Sequence, residues 1–260
     1  MSKEFYQKAK KIKRYGWKRS LPDFRDFQYS PPHSLAALPP IVDLRSDCPA
    51  VYDQGNLGSC TAQAIAGLVE YLKKKQGKEV FTPSRLFIYY NERVLEGTVN
   101  EDSGATIRSG FKVVSHLGNP HENLWWYNIR KFTVKPNRKV YTDALNHQVL
   151  RYTRVNNADL YAMRSCLASG FPIVGGFAVF ESFESPAVTR TGIVSMPSRT
   201  EEMLGGHAII VVGYDDTKQM FIVRNSWGTG WGLKGYCMMP YLYLTNTQLA
   251  DDFWTGTFIE

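Results

Sequence analysis

Four side chains along this sequence have the types needed for nucleophilic acyl transfer: Cys60, His207, Asn225 and Gln54. A cysteine attacks only as its thiolate, and a histidine is its usual proton partner. An amide oxygen on the far ring nitrogen would orient the imidazole, completing a nucleophile–base–orienter set. Residues 52–60 read Tyr-Asp-Gln-Gly-Asn-Leu-Gly-Ser-Cys. A loop turning through Gly55 and Gly58 brings the Gln54 amide beside the sulfur. With the backbone N–H of Cys60 it would make an oxyanion hole.

Positioning these groups needs a helix and a hairpin. Ser59 is a good capping residue, and Ala62, Ile65, Ala66, Leu68, Val69 and Leu72 recur at helical spacing. Three lysines at 73–75 and Gly77 predict the helix end. Cys60 then sits in the first turn, where the helix dipole favours a thiolate. His207 opens an apolar strand running to Tyr214; Asp215-Asp216-Thr217 is the turn, and residues 220–224 return into Asn225. A regular hairpin centred on Asp216 predicts Tyr214 opposite Lys218 and His207 opposite Asn225 on one face. Trp227 and Trp231 follow, as indoles able to roof the His–Asn hydrogen bond and exclude water.

These residues resemble the papain-like cysteine peptidases, the papain and cathepsin family, in the compact type of bacteria and large DNA viruses. The matching motifs are Gln54, Gly58-Ser59-Cys60, Gly206-His207-Ala208, Asn225-Ser226-Trp227-Gly228 and Trp231-Gly232. Ile41-Val42-Asp43-Leu44-Arg45 resembles the start of a mature family member, so the likeness runs from about residue 38 to the end. It implies an endopeptidase that works through a Cys60 thiolate/His207 imidazolium pair and a thioester acyl-enzyme, without cofactor or metal. It also implies substrate contacts at Ser103, Gly104, Trp227 and Gly206, with Gly104 pairing to an extended peptide. Asp251 or Asp252, if turned inward, would favour basic side chains in a neighbouring pocket; the plainer reading is a solvated acid pair. Two departures stand out: Thr61 replaces the usual aromatic residue after the nucleophile, and Leu57 replaces a half-cystine.

The fold class expected is α+β. A helix opened by Pro83-Ser84-Arg85 and running through Leu86, Phe87, Tyr89 and Tyr90, and helices at 106–116 and 141–149, precede strands at Ile173–Phe180, 207–214, Met220–Arg224 and 235–239. A helical lobe at about 48–155 and a β lobe at about 156–260 would enclose a cleft, as in the two-lobe papain fold with its sheet or barrel. Residues 1–37 form a basic extension, with a short helix over 1–15 and an irregular stretch over 20–40. It reads as a solvated tail, or as a leader that covers the surface or enters the cleft, with Phe24, Phe27 and Tyr29 suited either to docking or to covering core edges.

The 260 residues carry a formal charge of +7. Residues 1–20 hold eight basic residues and one acid, so the catalytic body is neutral. That tail has the charge to touch an acidic surface or nucleic acid, which gives a nucleic-acid-associated protein as one alternative and a peptidase-like binding scaffold as another. The expected partner is a protein or peptide substrate, and the chain is read as a monomer with no membrane contact. No apolar run is long enough to span a bilayer, and the first residues lack a signal peptide's apolar stretch. Four cysteines without a Cys-x-x-Cys pair argue against structural zinc of that type and suit a reducing compartment. Cys166 and Cys237 read as buried free thiols, with a Cys48 bridge left open. His116, His121 and His147 read as surface or capping groups, and Asp143 as an acid without a catalytic partner.

Overall fold

The computed structural model of the chain describes residues 15–32 and 37–259. Apart from Tyr15, the basic helix expected over residues 1–15 lies outside the described residues.

The predicted helix forms as α1, Cys60–Lys75, and it is buried on nearly every side. Gly67 allows this, since a Cβ there would fall 2.9 Å from Ile210 Cδ1 on the neighbouring strand. Around α1 lie α2, Arg85–Leu95, and α3, Ile107–His116, each capped by a hydroxyl: Ser84 accepts from Phe87 N, and Thr106 from Ser109 N. The expected helix at 141–149 is instead α4, Arg138–Ala144, started by Asn137. The remaining helices are α5, Leu160–Ala168, α6, Pro186–Thr191, and α7, Tyr241–Thr245.

The strands are β1, Ile41–Asp43, β2, Val149–Arg154, β3, Ile173–Phe180, β4, Met203–Asp215, β5, Met220–Arg224, β6, Tyr236–Pro240, and β7, Ala250–Ile259. They form one antiparallel sheet in the order β2-β7-β3-β4-β5-β6, with β1 paired to β4. Helices and an antiparallel sheet make the expected α+β fold. β2 belongs to the sheet although it precedes residue 155, and three helices lie beyond that residue. β2 and β7, both unpredicted, pair with each other at the sheet's edge.

The sheet separates two apolar clusters. Ala208, Ile210 and Val212 of β4 join α1, while Ile209 and Val211 face the other cluster, as strand alternation requires. Tyr214 breaks the alternation and joins Val211's cluster. A bulge explains it: Val211 pairs with Val223 but Gly213 pairs with Ile222, leaving Val212 as an extra residue. Among the described residues, no helix is long and apolar enough to cross a membrane.

Candidate active site

Cys60 is the first residue of α1 and is fully buried. Its expected cap works differently: Ser59 makes no side-chain cap bond. The Ser59 hydroxyl pairs with Tyr127 Oη at 2.6 Å and accepts from Gln63 Nε2 at 3.2 Å. His207 lies on β4 with its Nε2 donating to Asn225 Oδ1 at 2.8 Å. Asn225 Oδ1 also accepts from Ser226 N at 2.7 Å.

That bond arises from a register other than the one predicted. The turn is later, so Asp215 pairs with Met220 and Tyr214 with Phe221, not Lys218. Continued without interruption, this ladder would put His207 and Asn225 on opposite faces. The extra residue at Val212 shifts the parity by one and returns both to the same face, diagonally placed and within side-chain reach. Trp227 stacks at a tilt on the imidazole, 5.0 Å between centroids, and Trp231 backs Trp227 at 5.3 Å.

The loop before Cys60 holds Gln54 on several sides. Gln54 Oε1 accepts from Ser226 Oγ at 2.7 Å, Nε2 donates to Leu57 O at 2.9 Å, and its carbonyl accepts from Tyr127 Oη at 2.9 Å. Asp102 Oδ1 accepts from Gly58 N at 3.0 Å and from Tyr89 Oη at 2.5 Å, tying the loop to the segment ahead of α3. Tyr127 and Asp102 were missed as positioning groups, although Asp102 adjoins the Ser103-Gly104 pair that the resemblance marks as a substrate contact.

The leader runs through this site. Trp17 N donates to Gly206 O at 3.0 Å, Ala105 N to Gly16 O at 2.7 Å, and Lys18 N to Ala105 O at 3.0 Å. Trp17 thus makes a parallel bridge to Ala105. Its ring covers Gly176, where a Cβ would lie 1.9 Å from Trp17 Cε2. Tyr15 presents its edge to His207 at 6.4 Å and bonds Glu184. Beyond the site, Asp26 pairs with Arg108 and Arg154, and Tyr29 N reaches Arg154 O. The docking aromatics are therefore Tyr15, Trp17 and the half-buried Tyr29. Phe24 and Phe27, expected in that role, are 99% and 80% exposed. The missed signal was a glycine between two aromatics inside a basic tail.

Residues 38–252 match the papain family of cysteine proteases. The chain belongs to that family. It is 48% identical over 210 residues to the "Uncharacterized peptidase C1-like protein L477" of Acanthamoeba polyphaga mimivirus, spanning 78% of this chain and 68% of that protein. The solved structure of Xylellain, a cysteine protease from Xylella fastidiosa, is 43% identical with a TM-score of 0.88, covering 95% of this chain and 96% of that one. Procathepsin L 3 of the Tenebrio molitor larval midgut, 19% identical, shares the fold at a TM-score of 0.70, over 89% and 74% of the two chains.

With the leader in place, burial opposes charge on both Cys60 and His207. Burial pushes the Cys60 thiol up to about 12, against the backbone N–H groups of Ala208 and Gly16 that draw it down. Burial pushes His207 down to about 4, opposed by its bond to Asn225. The thiolate expected from the helix dipole is outweighed by desolvation, since charging either group here means charging it without water. His207 Nδ1 is buried and has no hydrogen-bond partner among the described residues.

The predicted substrate contacts divide. Gly206 touches the leader directly. Gly104 has φ +69°, and a Cβ there would lie 2.1 Å from Gly16 O, yet the paired backbone is that of Ala105. Ser103 Oγ turns to Thr98 Oγ1 at 2.7 Å, and Trp227 is buried behind His207. Asp252 is buried, not solvated, and its Oδ2 accepts from Ser20 Oγ at 2.8 Å and Trp17 Nε1 at 3.5 Å. Asp251 binds Arg154 at 2.8 Å. All four cysteines are free, so Cys48 forms no bridge. Asp143, read as an acid without a catalytic partner, bonds His121 Nδ1 at 3.0 Å, with a donor atom of His147 within 4.8 Å.

Proposed function

We propose that peptide hydrolysis by this cysteine endopeptidase runs through Cys60 as nucleophile, His207 as its proton partner and Asn225 as the group orienting the imidazole. Gln54 Nε2 and the Cys60 backbone N–H serve as oxyanion donors. The observation that carries this reading is the 2.8 Å bond from His207 Nε2 to Asn225 Oδ1, which leaves Nδ1 for the sulfur. The thiol proton passes to Nδ1 as sulfur attacks the scissile carbonyl. The oxyanion is held by the two N–H donors. His207 then gives its proton to the leaving amine, and a water activated by the same ring cleaves the thioester. Trp227 keeps water from the His–Asn bond, and Gly206 with the Gly104–Ala105 segment binds the substrate backbone.

Residues 15–20 act as a built-in inhibitor. At the sulfur the leader presents the Gly16 N–H, whereas attack needs a carbonyl carbon, and the Gly16 carbonyl is already committed to Ala105 N. The leader and the peptidase body thus form two functional regions, 1–37 and 38–260. Free thiols at all four cysteines support work in a reducing compartment, and we read the protease as a monomer. The family and the intact His–Asn arrangement favour hydrolysis over a binding scaffold or a nucleic-acid role.

The test compares the full chain with protein whose leader has been cut near Ala37 after folding, each with Cys60 and with Cys60→Ala. A fluorogenic peptide and an epoxide thiol label are the readouts. Cutting should raise turnover and labelling, and Cys60→Ala should abolish both. Full turnover in Cys60→Ala would refute the assignment.

A further inference from the structure

We propose that His121, Asp143 and His147 form a divalent-metal site of zinc type on the helical side of the molecule, separate from the cysteine–histidine pair. One donor atom from each lies within 4.8 Å of the other two. Two imidazoles and a carboxylate are ligands that suit zinc, cobalt or nickel, and three protein donors leave a further position for water. Tetrahedral bonds of about 2.0–2.2 Å put donors about 3.3 Å apart, so each side chain needs to move inward by less than about 1 Å.

The surroundings fix the donors in place. Asp143 Oδ2 accepts from His121 N at 2.9 Å and lies 3.0 Å from His121 Nδ1. Phe81 stacks on His121 at 3.8 Å and leans on His147 at 4.6 Å, holding both rings side by side. Asn119 Nδ2 donates to the His147 carbonyl at 2.8 Å. Gly118 lets the 118–121 loop lie directly on the end of α4, where a Cβ would meet Ala144 O at 1.8 Å. Such outer supports restrict ligand orientation, which is what a metal site requires. A positive group sits beside the cluster: Lys73 Nζ lies 3.3 Å from His147 Nδ1 and 4.6 Å from the Phe81 ring centre. An ammonium against an imidazole lone pair marks where a cation is accepted. Metal binding would displace it and join the 118–121 loop to the α4 end.

The experiment uses the full chain carrying Cys60→Ala, so that the active-site thiol does not compete. Cobalt(II) is titrated by its visible absorption and zinc by calorimetry. One saturable equivalent is expected, with a cobalt spectrum of four- or five-coordinate nitrogen–oxygen type. His147→Ala and Asp143→Asn should each weaken binding at least tenfold while circular dichroism without metal stays unchanged. Lys73→Met should tighten binding several-fold by removing the competing ammonium. Absence of a saturable equivalent, or one that persists in both His147→Ala and Asp143→Asn, would overturn the site. A Lys73→Met variant that melts lower and binds no metal would show the cluster to be a lysine-held polar network only.

Discussion

Gly16 lies so close to Gly58 that a Cβ on Gly16 would fall 1.8 Å from the Gly58 carbonyl oxygen. The leader strand can therefore lie against the Cys60 loop only while position 16 has no side chain. Gly16→Ala should expel the leader and raise the full chain's rate on a short fluorogenic peptide by at least tenfold. A rate equal to the parent's would mean that the leader does not limit access.

Trp17 supplies the apolar contact that holds the same strand down. Truncating a buried Trp typically costs about 3–5 kcal/mol, here felt mainly by leader docking. Trp17→Ala should activate the full chain as Gly16→Ala does, and faster proteolysis between residues 15 and 37 should accompany it.

Asn225→Ala leaves His207 Nε2 buried without its acceptor. Losing such a bond costs about 1–3 kcal/mol, or about five- to 150-fold in rate. The fall should appear in kcat of the leader-cut enzyme with KM little changed. Gln54→Ala removes an oxyanion donor and should cost about 2.7–4 kcal/mol in kcat, by analogy with other hydrolases. A KM-only effect in either variant would contradict the roles assigned.

Asp252 loses the Ser20 and Trp17 donors once the leader departs. A profile of leader-cut enzyme over a peptide library should show a preference for Lys or Arg near the cut, and Asp252→Ala should erase it. An unchanged profile would return Asp252 to a purely structural role.

Glu92 is buried against the first turn of α1, accepting from Thr61 Oγ1 at 2.8 Å. Burial pushes its carboxyl up to about 8 from 4.5. The unfolded chain releases this proton earlier, so folding stability falls as pH rises from about 4.5 to about 8 and is level above that. The total is on the order of a few kcal/mol. Glu92→Gln keeps an acceptor for Thr61 and removes the titration. Its melting temperature relative to the parent should climb between pH 5 and pH 9; a constant difference would refute the buried proton.

Much of this was legible from residue patterns. The helix from Cys60 to Lys75 and the strands Ile173–Phe180 and Met220–Arg224 occur where apolar runs bounded by turn residues placed them. β7 was hidden because Asp251 and Asp252 read as solvated acids, whereas one pairs with Arg154 and the other is buried among indoles. Ser59 was misjudged because its hydroxyl answers a distant tyrosine, a contact made only by folding. The leader's path depends on Gly16 fitting between Gly58 and Gly104, a fit no local pattern announces. The His121–Asp143–His147 grouping likewise exists only after the 118–121 loop has settled on α4.

The extra residue at Val212 sets the odd-or-even count on which the His207–Asn225 meeting depends. Deleting one amino acid there would turn the imidazole toward the wrong side of its sheet while every reactive side chain stayed in the sequence. A homologue could thus carry the full motif set and still be inert, so gap lengths in this strand deserve as much scrutiny as identities.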